Sequence, residues 1–279
     1  MQTSLRSPFR AQQSERHSDM ARFYPLFSSS KGNSVYIGNK KHGILVDAGV
    51  SCSRIVSALS RNDIPISAVK AVFVTHNHSD HISGIKNLTK KYPISVFAEA
   101  GTLDYLFENE CIYTDGQDMS GAVTAAGMEI SCFHTPHDAP ESCGYKIKMP
   151  DGRICAVCTD LGTVTDCVRE NLLGCDLVYI ESNYDDDMLA RSSYPLYLKM
   201  RIRSARGHLS NDACGRLAAE LVKSGTTRLI LGHLSQENNT PEAADLCVSS
   251  ALEAAGFTRN RDYILSVAEP ETSGGFVAF

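Results

Sequence analysis

From about residue 22 onward the chain sets short apolar runs between polar breaks. The stretch MARFYPLFSSSKGNSVYIG marks the start of folded sequence, and SVYIG and GILVDAG, joined by a polar turn, predict a hairpin. SRIVSALSRN has helical spacing, AVFVTH reads as a buried strand, and SDHISGIKNLTKKY predicts one helix with Ile82, Ile85 and Leu88 as its apolar stripe. ISVFAEA follows as a strand and GTLDYLFEN as a helix. The second half repeats the style. MEISCFHTPH, SCGYKIKMP and RICAVCTD predict a strand meander, TDCVRENLLG a helix, DLVYIESN a strand, SNDACGRLAAELVKSG a helix, RLILGHLS a strand and GGFVAF a final strand. Strand clusters separated by helices, twice over, predict two packed sheets with helices outside, an α/β architecture.

Composition narrows this picture modestly. The chain has 279 residues, 43% of them hydrophobic, enough for a large core in one domain over residues 20–279. Residues 1–19 are polar and aperiodic, and read either as a disordered tail or as the product of an upstream start codon. A net charge of −5 excludes a wholly basic nucleic-acid binder, so any such contact needs a local basic surface. No apolar run reaches the roughly 18 residues that span a bilayer, and the first residues lack a secretory apolar segment. A cytoplasmic location is expected, with no membrane partner. The ten cysteines are scattered except Cys155 and Cys158, which alternation puts on opposite faces of one strand as buried thiols.

The chemistry concentrates in THNHSDH, directly after an apolar β-branched run. Neighbouring imidazoles repel when protonated and need partners when neutral, and a divalent cation answers both demands. Alternation points His76 and His78 to one side, and Ser79 is placed to cap the following helix. Imidazole and carboxylate donors suit zinc, manganese or iron better than calcium or copper(I). Further donors close other apolar runs: Asp47 in ILVDAG, His137 in HTPHDAP, Asp160 in ICAVCTD and His233 in RLILGHLS. Strand ends are where α/β sheets gather functional side chains.

His-x-His-x-Asp-His followed in order by His, Asp and His resembles the metallo-β-lactamase superfamily over roughly residues 22–240. The resemblance implies a four-layer αββα sandwich holding two divalent metal ions, zinc or manganese, with iron an option. It implies His76, His78 and His137 on the first ion, Asp80, His81 and His233 on the second, Asp160 between them, and Asp47 orienting a ligand histidine. His134 competes with His137. His137 is favoured because the strand should already have ended and HDA matches nearer relatives. Two neighbouring cations activate water and stabilise both oxygens of an in-line displacement, so hydrolysis is the implied reaction.

Residues 177–239, with ILVDAG and THNHSDHISG, resemble the bacterial YycJ/WalJ branch of that superfamily, which is similar to DNA exonucleases. The resemblance implies a metal-dependent phosphodiesterase acting 5′ to 3′ on nucleic acid, DNA ahead of RNA, with Asp80 helping to position or deprotonate the nucleophile. GHLSN also resembles an element of ribonuclease Z, which would give His208, Ser210 and Glu181 its phosphate-contacting and supporting roles. Chemically, Glu181 at a strand end would raise the pKa of His208 and make it a general acid. The competing reading makes His208 a surface residue before a helix capped by Ser210 or Asn211. Relatives of this branch often carry a histidine where Tyr184 stands, which leaves His208 the better acid candidate. Arg191, Lys199, Arg201, Arg203 and Arg206, interleaved with Tyr194 and Tyr197, read equally as a solvated helix face or as a basic rim in which Arg201 and Arg203 meet phosphates. Only about twenty residues separate His137 from Asp160, too few for a tRNA-gripping arm, and no second domain separates Asp160 from His233. A thioester or lactone hydrolase, and a metal-binding regulatory protein without catalysis, are the alternatives.

Overall fold

The computed structural model describes residues 22–279, so the expectation for residues 1–19 lies outside the described residues. The first seven strands in chain order are β1 (Arg22–Ser29), β2 (Gly32–Gly38), β3 (Gly43–Val46), β4 (Val69–Phe73), β5 (Ser95–Ala98), β6 (Gly116–Asp118) and β7 (Val123–Ala125). Then come β8 (Met128–His134), β9 (Cys143–Lys148), β10 (Ile154–Cys158), β11 (Leu177–Glu181), β12 (Arg228–Gly232), β13 (Ile264–Val267) and β14 (Val277–Ala278). One sheet runs in the order β14-β1-β2-β3-β4-β5-β6, the other β13-β12-β11-β10-β9-β8-β7. Both are mixed: β3 to β6 and β10 to β13 pair in parallel, while the hairpins pair antiparallel.

Alternation sorts the side chains into layers. Ile44, Val46, Phe73 and Phe97 of one sheet meet Ile130, Tyr145, Val157 and Tyr179 of the other, and Cys155 joins them. Leu45, Val72 and Val96 face outward onto helices Cys52–Arg61, Ile85–Lys91 and Ala100–Glu108. Ala156, Cys158, Val178 and Ile180 face helices Asp166–Leu172 and Asn211–Lys223. The αββα sandwich and the opposite burial of Cys155 and Cys158 are as the pattern indicates, and all ten cysteines are free thiols. Hydroxyl groups also stitch the sheets together: Tyr145 donates to Val74 O at 2.7 Å and Tyr179 to Ser28 Oγ at 2.6 Å. Among the described residues no helix is long and apolar enough to cross a membrane.

Three local readings need correction. The single helix expected from SDHISGIKNLTKKY is two, Ser79–Ile82 and Ile85–Lys91. Between them Gly84 donates to Ala48 O at 2.8 Å, and a Cβ there would lie 2.0 Å from Val50 O, so tight backbone packing breaks the helix. Ser79 does not cap: His78 holds the N-cap position and Ser79 begins the helix. After residue 240 the pattern yields only the final strand, whereas the chain adds helix Pro241–Ala254, capped by Thr240 with proline in its first turn, and β13.

Candidate metal centre

The C-terminal ends of six strands meet at one edge of the sandwich. Asp47 follows β3, His76 to His81 follow β4, His137 follows β8, Asp160 follows β10, Glu181 ends β11 and His233 follows β12. Asp47, Asp160 and His233 have φ of 61°, 56° and 55°, the left-handed region that Asp and His enter more readily than bulkier residues. Such strain persists only where the surroundings enforce it.

His76, His78 and His137 form one compact set of donors, and Asp80, His81 and His233 another. Asp160 stands between them. Its Oδ1 is 3.6 Å from both His137 Nε2 and His233 Nε2, and its Oδ2 is 3.1 Å from His81 Nε2. Asp80 Oδ2 lies 3.5 Å from His81 Nε2 and 3.6 Å from His233 Nε2. His134, the competitor of His137, is exposed at the end of β8 and belongs to neither set.

A surrounding layer fixes which ring nitrogen faces inward. Asp47 accepts from His81 Nδ1 at 2.8 Å and from Thr75 N at 2.8 Å, and the Thr75 hydroxyl, itself donating to Asp47, lies 3.0 Å from His76 Nδ1. His137 Nδ1 donates to Gly207 O at 3.0 Å. Glu181 Oε1 accepts from His233 Nδ1 at 2.9 Å and His208 Nδ1 at 2.8 Å, while its Oε2 accepts from Leu161 N and Leu209 N at 2.8 and 3.1 Å. In His76, His81, His137 and His233 the Nε2 is thereby left for the centre. His78 is turned the other way, with Nδ1 3.4 Å from His137 Nε2. Buried His76 Nε2 and His233 Nε2 have no hydrogen-bond partner, and inward-facing nitrogens beside shared carboxylates suit a divalent cation.

The charges are strongly coupled. Burial disfavours the cation of His81, yet Asp160 and Asp47 outweigh it and hold the ring well above its ordinary value. His233 is likewise raised against burial, to about 10, by Asp160, Asp80 and Glu181. Burial opposes ionisation of Glu181, but His208 and His233 bring it down to about 2. His208 is raised, with burial overcome chiefly by Glu181. His76, deeply buried and beside His81, is pushed well below.

The remaining sequence candidates divide. Ser210 caps helix Asn211–Lys223 by accepting from Ala213 N at 3.2 Å. Arg201 Nε reaches Asp138 Oδ2 at 2.5 Å at the rim of the centre, whereas Arg203 is tied to Asp186, with its guanidinium 2.9 Å from the carbonyl. Arg206 donates to His137 O at 2.9 Å, which makes it a brace for the backbone of that candidate ligand. Sequence reasoning passed over Asn33, whose Nδ2 lies 3.2 Å from Asp80 Oδ2 and 3.1 Å from His81 Nε2. It also passed over Asn183, which donates to His233 O at 2.8 Å, and Asp138. Asp138 carried a signal, as an acid directly after a candidate ligand. Asn33 and Asn183 carried none.

Two mixed sheets under outer helices, with histidine and aspartate donors gathered at one edge, define a hydrolytic enzyme of the metallo-β-lactamase fold. Residues 42–234 match the family described as the Beta-lactamase superfamily domain. The chain is 33% identical over 255 residues to exodeoxyribonuclease YycJ of Bacillus anthracis, covering 89% of this chain and 96% of that protein. It is 32% identical over 254 residues to exodeoxyribonuclease WalJ of Streptococcus pneumoniae, covering 89% and 94%. The crystal structure of the metallo-β-lactamase fold protein YhfI from Bacillus subtilis superposes with a TM-score of 0.69 at 15% identity, covering 91% of this chain and 98% of that one. The chain therefore belongs to the metallo-β-lactamase superfamily, in the family of YycJ and WalJ.

Proposed function

We propose that the protein is a dinuclear metal-dependent phosphodiesterase that removes nucleotides from the ends of DNA, in the 5′ to 3′ direction. The observation that carries this reading is Asp160, one carboxylate whose Oδ1 lies 3.6 Å from a histidine of each donor set and whose Oδ2 lies 3.1 Å from His81. In it His76, His78 and His137 hold one ion, Asp80, His81 and His233 the other, and zinc, manganese or iron fits the donors. When bound, the ions supply Lewis acidity and bring the pKa of water towards neutrality. Asp80 helps to position or deprotonate the attacking water. His208, with Nδ1 bound to Glu181, presents Nε2 to the departing oxygen and donates the proton that oxygen needs. Its side chain is 20% exposed, so a substrate can reach it. Ser210 adds a hydroxyl beside the phosphate. The names of the relatives support DNA as the substrate.

One observation favours a second reading, a thioester or lactone hydrolase. Arg201 and Arg203 are both paired to carboxylates, which weakens the basic rim. The deciding experiment loads nuclease-free protein with manganese or zinc and offers 5′- and 3′-labelled single- and double-stranded DNA beside matched RNA. Stepwise digestion that disappears in His78→Ala and His208→Ala, with the 5′ label leaving first, is the expected result. No cleavage of any strand by the metal-loaded protein would overturn the reading in favour of small esters.

A further inference from the structure

Helix Leu196–Ile202 buries none of its residues, and Leu196, Tyr197 and Met200 are 72%, 74% and 64% exposed. Seven residues do not sustain a helix in water without outside contacts. Lys199 supplies two, donating to Ala190 O at 2.8 Å and Ser192 O at 2.7 Å. Two more are the His208 N–H, which donates to Ile202 O at 2.9 Å, and the bond from Arg201 to Asp138, which joins the helix to the loop after β8. The other oxygen of Asp138 stands 3.3 Å from His137 Nε2 and 3.8 Å from His78 Nε2. A single carboxylate thus connects candidate ligands to a guanidinium at the rim.

The Arg201 and Asp138 side chains are 54% and 29% exposed, so their attraction is screened by water and is weak. A phosphate offers the guanidinium two oxygens at once and competes well for it, whereas a neutral ester or thioester offers no anion. Tyr197 precedes Arg201 by four residues, which puts both on one face of the helix. Its exposed ring is suited to stack on a base. We propose that Arg201 receives a substrate phosphate next to the one cleaved, that Asp138 holds Arg201 in reserve until a strand arrives, and that Tyr197 stacks on the attached base. The pair thereby selects phosphate-bearing strands over neutral esters, and the proposal rests on the nuclease reading above.

The test compares wild type, Arg201→Gln, Asp138→Asn and the double variant, all metal-loaded, on labelled single-stranded DNA across a salt series. Arg201→Gln is expected to raise KM about tenfold with kcat held within about twofold, the loss of one charge-assisted contact. It should also flatten the slope of log(kcat/KM) against log[salt] by about 0.7, the contribution of one phosphate contact on a single strand. Asp138→Asn is expected to lower KM about threefold by freeing the guanidinium, and this gain should vanish in the double variant. Tyr197→Ala should raise KM, whereas Tyr197→Phe, which keeps the ring, should not. An unchanged salt slope in Arg201→Gln, or an equal effect of Asp138→Asn in both backgrounds, overturns the proposal. So does loss of metal from Asp138→Asn, read by atomic emission, since the carboxylate would then serve the ligands. A wild-type protein that cleaves no strand removes the nuclease reading itself, while wild-type cleavage with unaltered variants removes this proposal alone.

Discussion

Replacing Glu181 by Gln changes one oxygen to an amide nitrogen in a carboxylate that accepts four hydrogen bonds. The amide has two orientations and neither is satisfactory. With its nitrogen towards Leu161 N and Leu209 N, two buried donors lose their acceptor, at about 1–3 kcal/mol each. With its nitrogen towards the histidines, it forces protons onto Nε2 of His233 and His208, closing the nitrogen that His233 needs for a metal. The substitution should therefore cost at least about 2 kcal/mol, lowering Tm by roughly 3–4 °C or more for a chain of this size. It should also weaken metal affinity by about 10–100-fold. Calorimetry of the metal-free protein and chelator competition measure these two effects. Without the carboxylate that raises it, His208 should titrate lower, so the alkaline limb of the kcat profile should move to lower pH. A Glu181→Gln protein that melts with wild type, binds metal equally and keeps the same alkaline limb would refute this account of Glu181.

Asp47→Asn offers a gentler perturbation, because asparagine accepts the positive φ of this position while the anion beside His81 is lost. Metal affinity should fall about 10–100-fold while far-ultraviolet circular dichroism stays unchanged, and wild-type affinity would contradict the role given to Asp47. In the metal-free protein His233 is raised to about 10 and His81 is raised well above its ordinary value, so both carry protons at neutral pH. A raised pKa contributes stability in full below the unfolded value of about 6.5, and that contribution is lost as pH climbs through 10. Metal-free protein should accordingly lose stability between pH 7 and 10. Loading at pH 7.5 should release at least the proton held by His233, seen by calorimetry in buffers of different ionisation enthalpy. Zero release would contradict the charge assignment.

How much of this site could be read from the chain depended on sequence distance. His76, His78, Asp80 and His81 announce themselves by crowding, and Asp47, His137, Asp160 and His233 by their places after apolar runs. Glu181 and His208 were legible as a pair through the resemblance of GHLSN to an element of ribonuclease Z, since Glu181 ends a strand but His208 lies in the loop between helices Leu196–Ile202 and Asn211–Lys223. Asn33 was not, since an asparagine in a hairpin is expected for turn geometry alone, and only the packing of Gly49 and Asp80 against it brings its amide to the centre. The break at Gly84 was hidden for the same reason: Ile82, Ile85 and Leu88 fit one helix, and the obstruction comes from carbonyls more than thirty residues earlier. The partners of Arg201 and Arg203 were equally invisible, because charge runs do not reveal which carboxylates fold back onto them.

Asp80 and His81 hang from one sheet, His137, Asp160 and His233 from the other, and Ser28 of the first sheet accepts both the Tyr179 hydroxyl and the His233 amide, the latter at 2.8 Å. An ion shared by these donors would be a cross-link between two halves that the chain must bring together over more than a hundred residues. At a free concentration a thousand times its dissociation constant, one ion would add about 4 kcal/mol to folding. Metal supply would then govern how long the protein survives in the cell as well as how fast it works, and depletion would be recorded first as lost protein.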